Sequence, residues 1–68
     1  MDIRQILGRN LKEHRQAMGL SQEQFGLKYD IDRTYVSGIE RGVRNPTIQL
    51  IERLAEMIGV EPWELLKP

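Results

Sequence analysis

Three glycines divide this chain into short segments, and within each segment the apolar residues recur every three or four positions. Apolar residues at that spacing lie along one face of an α-helix. Gly19, Gly42 and Gly59 each follow such a segment, and glycine often ends a helix because it adopts the left-handed conformation without strain. No segment alternates apolar and polar residues as a half-buried strand does. The pattern predicts an all-α fold.

Capping residues mark where the helices begin. Ser21 is followed three residues later by Gln24, the spacing of a capping box in which each side chain bonds the other residue's backbone. Asp32 and Thr47 precede two further apolar segments, and Pro62 suits the first position of a short last helix. Five helices are therefore expected, over about residues 3–18, 22–29, 33–41, 47–58 and 62–66.

The apolar stripes predict which side chains face the core. In the second helix these are Phe25 and Leu27, and in the third they are Val36 and Ile39. The first and fourth helices contribute a larger set, namely Ile3, Ile6, Leu7, Leu11, His14, Met18, Ile48, Ile51, Leu54, Ala55 and Ile58.

The size and composition of the chain exclude several classes of protein. With 68 residues it is expected to form a single domain over residues 1–68, whose core contributes only about a few kcal/mol of net stability. It has no cysteine, which excludes a disulfide-stapled secreted scaffold. No apolar run is long enough to span a membrane or to act as a signal peptide, so we expect a cytoplasmic protein.

No set of residues for catalysis or metal binding can be assembled from the sequence. His14 is the only histidine, no cysteine accompanies it, and there is no glycine-rich phosphate loop. We expect His14 to be a partly buried packing residue, with a metal ligand and a pH sensor as the alternatives. The sequence thus predicts no enzyme, no cofactor, no metal site and no small-molecule ligand.

Charge is unevenly distributed although the formal net charge is zero. Ten Lys and Arg residues balance ten Asp and Glu residues, which by itself argues against a nucleic-acid partner. Residues 33–46, however, hold three arginines and one glutamate, whereas residues 47–68 hold two basic and four acidic residues. The positive part of the chain coincides with the third helix and the loop after it.

The third helix has a polar face without a clear role in the core. Two helices joined by a tight turn, the second with a capped start and a free polar face, are the arrangement that places a helix in the DNA major groove. Many helical bundles contain the same corner, so geometry alone leaves a solvated face without a partner as the alternative. With Val36 directed inward, the outward positions are Thr34, Ser37, Gly38 and Arg41, flanked by Arg33 and Tyr35.

Three stretches of sequence resemble one known family. They are GLSQEQF, DRTYVSGIERGVRNPTI and LIERLAEMIGVEPWELL, and they resemble the Xre family of Cro- and phage-repressor-like helix-turn-helix proteins over residues 6–66. The resemblance implies an all-α, five-helix lambda-repressor-like helix-turn-helix DNA-binding domain and a transcriptional regulator. The wording DRTYVSGIERG and the domain length most resemble the controller proteins of restriction-modification systems, which would regulate their own promoter.

The resemblance also implies roles for individual residues. The first positions of the third helix contact base edges in the family, which implies base contacts for Arg33, Thr34 and Ser37, the arginine bonding guanine O6 and N7. An arginine late in the first helix bridges to a glutamate near the end of the third, which implies an ion pair of Arg15 and Glu40. The implied contacts to the DNA backbone are Ser21, Gln22, Tyr35, Arg44 and Asn45.

Four positions depart from the family pattern, and at the first of them His14 replaces a usual core leucine. Gly26 replaces a usual alanine in the second helix and is expected to loosen it by up to about 1 kcal/mol. Asp30 replaces a usual glycine at the turn and tolerates the left-handed conformation less well than glycine does. Gly38 stands where some relatives have a base-reading side chain, which predicts fewer base contacts in each half-site.

Apolar residues near the C-terminus predict a homodimer. Leu50 and Met57 lie off the inward stripe of the fourth helix, and Trp63 occupies a position that relatives often leave polar; in this family such patches pair two subunits. The hypothesis is a homodimer on a two-fold-symmetric double-stranded DNA operator, with half-sites about 34 Å apart. Two alternatives remain open: an antitoxin-type autorepressor that binds a toxin, and a protein-interaction module that has lost DNA binding.

Overall fold

Residues 2–68 form five α-helices and no strand; this is the part of the chain that the computed structural model describes. The helices are α1 (Ile3–Ala17), α2 (Gln22–Tyr29), α3 (Arg33–Glu40), α4 (Ile48–Ile58) and α5 (Pro62–Leu65). None of them is long and apolar enough to cross a membrane. The predicted all-α, five-helix fold is confirmed; α2 has the expected bounds, and each other helix differs by one residue at one end.

Hydrogen bonds at the helix ends follow the predicted caps. The Gln24 amide donates to Ser21 Oγ at 3.1 Å and the Ser21 amide donates to Gln24 Oε1 at 2.8 Å, which completes the capping box before α2. Asp32 accepts the Thr34 amide at 2.7 Å and so caps α3. The three glycines predicted to end helices have φ values of 73° to 77°. Local sequence therefore determines where most helices begin and end.

Buried apolar side chains from all five helices form one core. The Phe25 ring of α2 is fully buried and packs edge-on against Tyr29, with ring centroids 4.8 Å apart. The buried cluster consists of Leu7, Leu11, Phe25, Val36, Ile39, Leu54, Ala55 and Leu65.

Three residues predicted to face the core are exposed instead: Ile3 by 57%, Leu27 by 78% and Ile48 by 86%. Ile3 and Ile48 are the first residues of α1 and α4. The apolar face of each helix has the predicted direction, but the helix begins outside the core. Leu27 comes two residues after Phe25, which places it about 200° around α2, since each residue of an α-helix turns by about 100°. The prediction for all three was wrong.

The most extensive packing divides the helices into two groups. α3 packs against α1 and α2, whereas α5 packs against α4 and α1. Asn10, buried on α1, links these groups, because its Nδ2 donates to the backbone oxygens of Leu65 and Lys67, both at 2.9 Å. α1 is therefore the element that connects the α2–α3 corner with the C-terminal helices.

Two glycines allow close approaches of backbone to helix. A Cβ atom at Gly8 of α1 would lie against the carbonyl oxygen of Ile39 and 2.7 Å from that of Glu40. A Cβ atom at Gly26 would lie 2.5 Å from the carbonyl oxygen of Ile31, in the turn after α2. The sequence suggested only that Gly26 reduces the helix propensity of α2. In the structure, the absence of a side chain at Gly26 also makes room for the turn.

Candidate nucleic-acid interface

The turn between α2 and α3 sets the direction of α3. Asp30 adopts the left-handed conformation with φ 55° and ψ 49°, and it is the one non-glycine residue with positive φ between residues 2 and 68. The Ile31 amide donates to the Gly26 carbonyl at 2.9 Å and closes the turn. Aspartate thus occupies the position where the family usually has glycine, and the turn forms with it.

α3 buries one face and leaves the start of the other exposed. Val36 and Ile39 lie in the core, where α3 meets α1 and α2. Arg33 and Thr34 are exposed and Ser37 is half-buried. The three residues expected to contact bases are therefore the first, second and fifth residues of α3. Thr34 and Ser37 lie on the side away from the core, and Arg33 flanks them.

A buried ion pair fastens α1 to the end of α3. Arg15 Nε donates to Glu40 Oε2 at 2.7 Å and Arg15 Nη2 donates to Glu40 Oε1 at 2.9 Å, so the pair implied by the family resemblance is present and bidentate. Arg15 Nη1 donates to the Leu20 carbonyl at 2.7 Å. The bond to Glu40 raises the pKa of Arg15 above its ordinary value, although burial acts in the opposite direction. Both charges are well satisfied, which fixes α3 relative to α1.

Gln22 is bound to the same carboxylate. Its Nε2 donates to Glu40 Oε1 at 3.1 Å, so Glu40 connects the start of α2 with α1 and α3. This bond turns the amide nitrogen of Gln22 towards Glu40 and uses one of its two N–H groups. The second N–H makes no hydrogen bond within residues 2–68.

Gln22 and Arg33 line the same recess, which has a volume of about 320 Å³. Arg15, Ser21 and the acidic residue Glu23 also line it. Arg15 is engaged by Glu40, whereas Arg33 is exposed. The recess can therefore present a guanidinium and an amide N–H to an anionic group such as a phosphate.

Arg44, in the loop after α3, lies across the outer face of that helix. A Cβ atom at Gly38 would lie 2.6 Å from Arg44 Cγ and 3.0 Å from Arg44 Nε. The guanidinium carbon of Arg44 lies 5.4 Å from the centroid of the Tyr35 ring, within cation–π distance. Gly38 is buried rather than facing solvent as predicted, because the Arg44 side chain covers it. Tyr35 is half-buried and Asn45 is exposed.

The residues predicted to pair two subunits differ in exposure. Trp63 on α5 is 62% exposed. Leu50 and Met57 on α4 are half-buried and pack against the core. Ile48, which the sequence placed in the core, adds an exposed apolar side chain at the start of α4. The exposed apolar surface of α4 and α5 is therefore formed mainly by Ile48 and Trp63. Leu50 and Met57 contribute less to it than the sequence suggested.

His14 is half-buried on α1, where a packing residue was expected. Among residues 2–68, no three His, Cys, Asp or Glu side chains are grouped so that they could hold a metal ion. The exposed polar groups of residues 33–45 are the guanidinium groups of three arginines, the hydroxyl of Thr34 and the amide of Asn45.

A family model described as helix-turn-helix matches residues 11–65. The chain belongs to the Xre-like helix-turn-helix family of transcriptional regulators. The match covers α2, α3, α4 and the turn between α2 and α3, so it includes every residue expected to contact DNA.

Controller proteins are among the relatives of this helix-turn-helix chain. The control protein C.BamHI from Bacillus amyloliquefaciens is 38% identical over 66 residues, which is 96% of this chain and 82% of the relative. The solved restriction-modification controller protein C.AhdI from Aeromonas hydrophila is 44% identical with a TM-score of 0.81, over 91% of this chain and 94% of its own. The controller protein C.Esp1396I, solved as a tetramer in complex with its natural 35 base-pair operator, is 32% identical with a TM-score of 0.78, over 98% of this chain and 99% of its own. The resemblance to controller proteins is confirmed.

Two arrangements in this helix-turn-helix unit were not predicted from the sequence. Gln22 and Glu40 were expected to have separate roles, although a hydrogen bond joins their side chains. Gly38 was expected only to remove one base contact, whereas the Arg44 side chain covers it. A signal for the second was present, because Gly42 predicts a reversal of the chain at the end of α3, and Arg44 follows it by two residues.

Proposed function

We propose that the protein is a sequence-specific double-stranded-DNA-binding transcriptional regulator that acts as a homodimer on a two-fold-symmetric operator. The position of α3 carries this proposal, because the buried Arg15–Glu40 pair holds α3 while Arg33 and Thr34 stay exposed in its first turn. A helix held in this way can enter the major groove with its first residues at the base edges. The operator complex of C.Esp1396I supports DNA as the partner.

Arg33 carries most of the sequence preference in this proposal. Its guanidinium would make two parallel hydrogen bonds to guanine O6 and N7, worth about 1–3 kcal/mol of discrimination. Thr34 and Ser37 would contact neighbouring bases. Contacts to the DNA backbone would set the register of α3 rather than read sequence, and the residues proposed for them are Ser21, Gln22, Tyr35, Arg44 and Asn45.

A controller role that regulates its own promoter is the favoured form of the proposal, because several relatives are control proteins. Residues 1–68 would act as a single DNA-binding domain, in the cytoplasm, without a catalytic step. Since the formal net charge is zero, we expect weak non-specific DNA affinity and a specific affinity that falls with salt through a few phosphate contacts.

Selection from a random duplex library at about physiological salt tests the proposal. The expected result is enrichment of a two-fold-symmetric motif with half-sites near 34 Å apart, about one turn of DNA. If no duplex is enriched and retention is weak at every salt concentration, DNA binding is the wrong function. Co-purification of a second protein in that case would favour the antitoxin or the protein-interaction module.

Arg33→Ala is expected to relax the preference at one base position of each half-site. The loss of a bidentate contact to guanine should reduce discrimination there by about 1–3 kcal/mol. Arg53→Ala is the matched control, because Arg53 is also an exposed arginine but lies on α4. A motif that is the same for wild type and Arg33→Ala would refute the role of Arg33, whatever the affinities are.

Trp63→Ala is expected to weaken subunit association and, with it, operator binding. Hot-spot aromatic residues at interfaces typically contribute about 2 kcal/mol or more, so sedimentation velocity should show the dimer giving way to monomer at concentrations where the wild type is dimeric. Leu27→Ala is the control, since Leu27 is 78% exposed but lies on α2. An unchanged dimer in Trp63→Ala would place the interface elsewhere.

A further inference from the structure

Gly38 has no role in the proposed function, yet it occupies a specific place in the structure. It lies on the outer face of α3 and is nevertheless buried, because the Arg44 side chain crosses it. We propose that Gly38 is a positioning residue for Arg44: the absence of a side chain at residue 38 leaves a groove in which Arg44 lies, so that its guanidinium is held beside Tyr35 for contact with a DNA phosphate. This inference rests on the proposed function.

The backbone after α3 directs residue 44 back over the helix. Gly42 has a φ of 76°, its amide donates to the Ile39 carbonyl and the Val43 amide donates to the Gly38 carbonyl, both at 3.0 Å. This pair of bonds reverses the chain at the C-terminus of a helix. The carbonyl of Gly38 thus helps to fix the loop whose arginine then covers the Cα of the same glycine.

The Arg44 side chain follows the surface that Gly38 leaves open. A Cβ atom at residue 38 would lie 2.6 Å from Arg44 Cγ, 3.0 Å from Nε and 3.4 Å from Cδ, so the middle of the side chain passes directly over the glycine. The guanidinium carbon then lies 5.4 Å from the Tyr35 ring centroid. Any larger residue at position 38 would displace this side chain from the face of α3.

Holding an arginine in place increases affinity because less conformational freedom is lost when the ligand binds. An exposed arginine in a loop samples many rotamers, whereas Arg44 lies over Gly38 and against Tyr35. Displacing it would keep the positive charge but remove its placement. The affinity for DNA should then fall without any change in net charge.

Gly38→Ala should lower the affinity for DNA without lowering the stability of the fold. Glycine within a helix is less favourable than alanine, and the group that a new methyl would meet is a flexible side chain rather than backbone. The variant is therefore expected to melt at the wild-type temperature or above it. A glycine with a merely structural role would not lower DNA affinity while leaving the melting temperature intact.

A double-mutant cycle on the duplex selected by the wild-type protein tests the inference. Dissociation constants would be measured by fluorescence anisotropy for wild type, Gly38→Ala, Arg44→Ala and the double variant, with thermal melting of each. Gly38→Ala is expected to weaken binding by roughly three- to tenfold, which is about the cost of immobilising one long side chain. In the Arg44→Ala background, the same change should weaken binding no further.

Three results would overturn the inference. They are wild-type affinity in Gly38→Ala, an effect of Gly38→Ala that persists when Arg44 is already alanine, and a melting temperature of Gly38→Ala well below that of wild type. The double variant has no long side chain at residue 44 to displace, so its affinity relative to Arg44→Ala shows whether the change at Gly38 acts through Arg44. A wild-type protein that selects no duplex would refute the proposed function, not the arrangement of Gly38 and Arg44.

Discussion

Glu40→Ala is expected to lower the free energy of unfolding by about 3–5 kcal/mol, because removing one partner leaves a buried charge without compensation. The side chain of Arg15 is only 8% exposed, and the Leu20 carbonyl would be its remaining partner. Gln22 would lose its acceptor as well. Since a domain of this size has only about a few kcal/mol of net stability, urea denaturation followed by circular dichroism should show a largely unfolded protein.

The double variant Arg15→Met/Glu40→Leu separates the uncompensated charge from lost packing. Replacing both charges by apolar residues of similar volume is often neutral or stabilising, so the double variant should be more stable than Glu40→Ala. It would still lose the bonds to Leu20 and Gln22. An unfolding midpoint for Glu40→Ala close to that of wild type would mean that the pair does not hold α3 in solution.

Gly8→Ala is the second substitution with a large expected effect. The new methyl would meet the carbonyl oxygens of Ile39 and Glu40, and these backbone atoms at the end of α3 cannot move without moving the helix. Overpacking of this kind typically costs about 1–3 kcal/mol, which should exceed the gain in helix propensity. Thermal melting should show a clear decrease, and operator affinity should fall because α3 is displaced from α1.

Gly38→Ala is a matched comparison for Gly8→Ala, because the same atoms are added within a helix in both. At Gly38 the obstacle is the flexible Arg44 side chain, whereas at Gly8 it is backbone. Gly8→Ala should therefore be the less stable of the two. Equal melting temperatures would show that α1 and α3 can separate slightly at little cost.

The boundaries of the helices could be predicted because they depend on residues close in sequence. Ser21 and Gln24 form their capping box within one turn, and the left-handed glycines end helices through bonds to carbonyls a few residues back. The helix-turn-helix corner and its exposed residues followed from these boundaries and from the family resemblance. Local chemistry was sufficient there.

The remaining features depend on contacts between residues far apart in sequence. Whether Ile48 is buried depends on where the other helices end. The spacing of apolar residues within α4 gives no information about those ends. Asn10 lies on the apolar stripe of α1, and its partners are more than fifty residues later. A polar residue on an apolar stripe was the one available signal, and it did not identify the carbonyl groups at the end of α5.

The contact between α1 and α5 would determine how strictly a dimer selects one distance between half-sites. The α2–α3 corner and the C-terminal helices meet largely through α1, and Asn10 fastens that junction with two bonds of 2.9 Å. In a dimer that pairs through α4 and α5, the position of each α3 relative to the two-fold axis would depend on this contact between α1 and α5. If this contact is rigid, the dimer would bind operators with one spacing of half-sites. If the contact is weakened at Asn10, the dimer would also bind operators with a base pair added or removed.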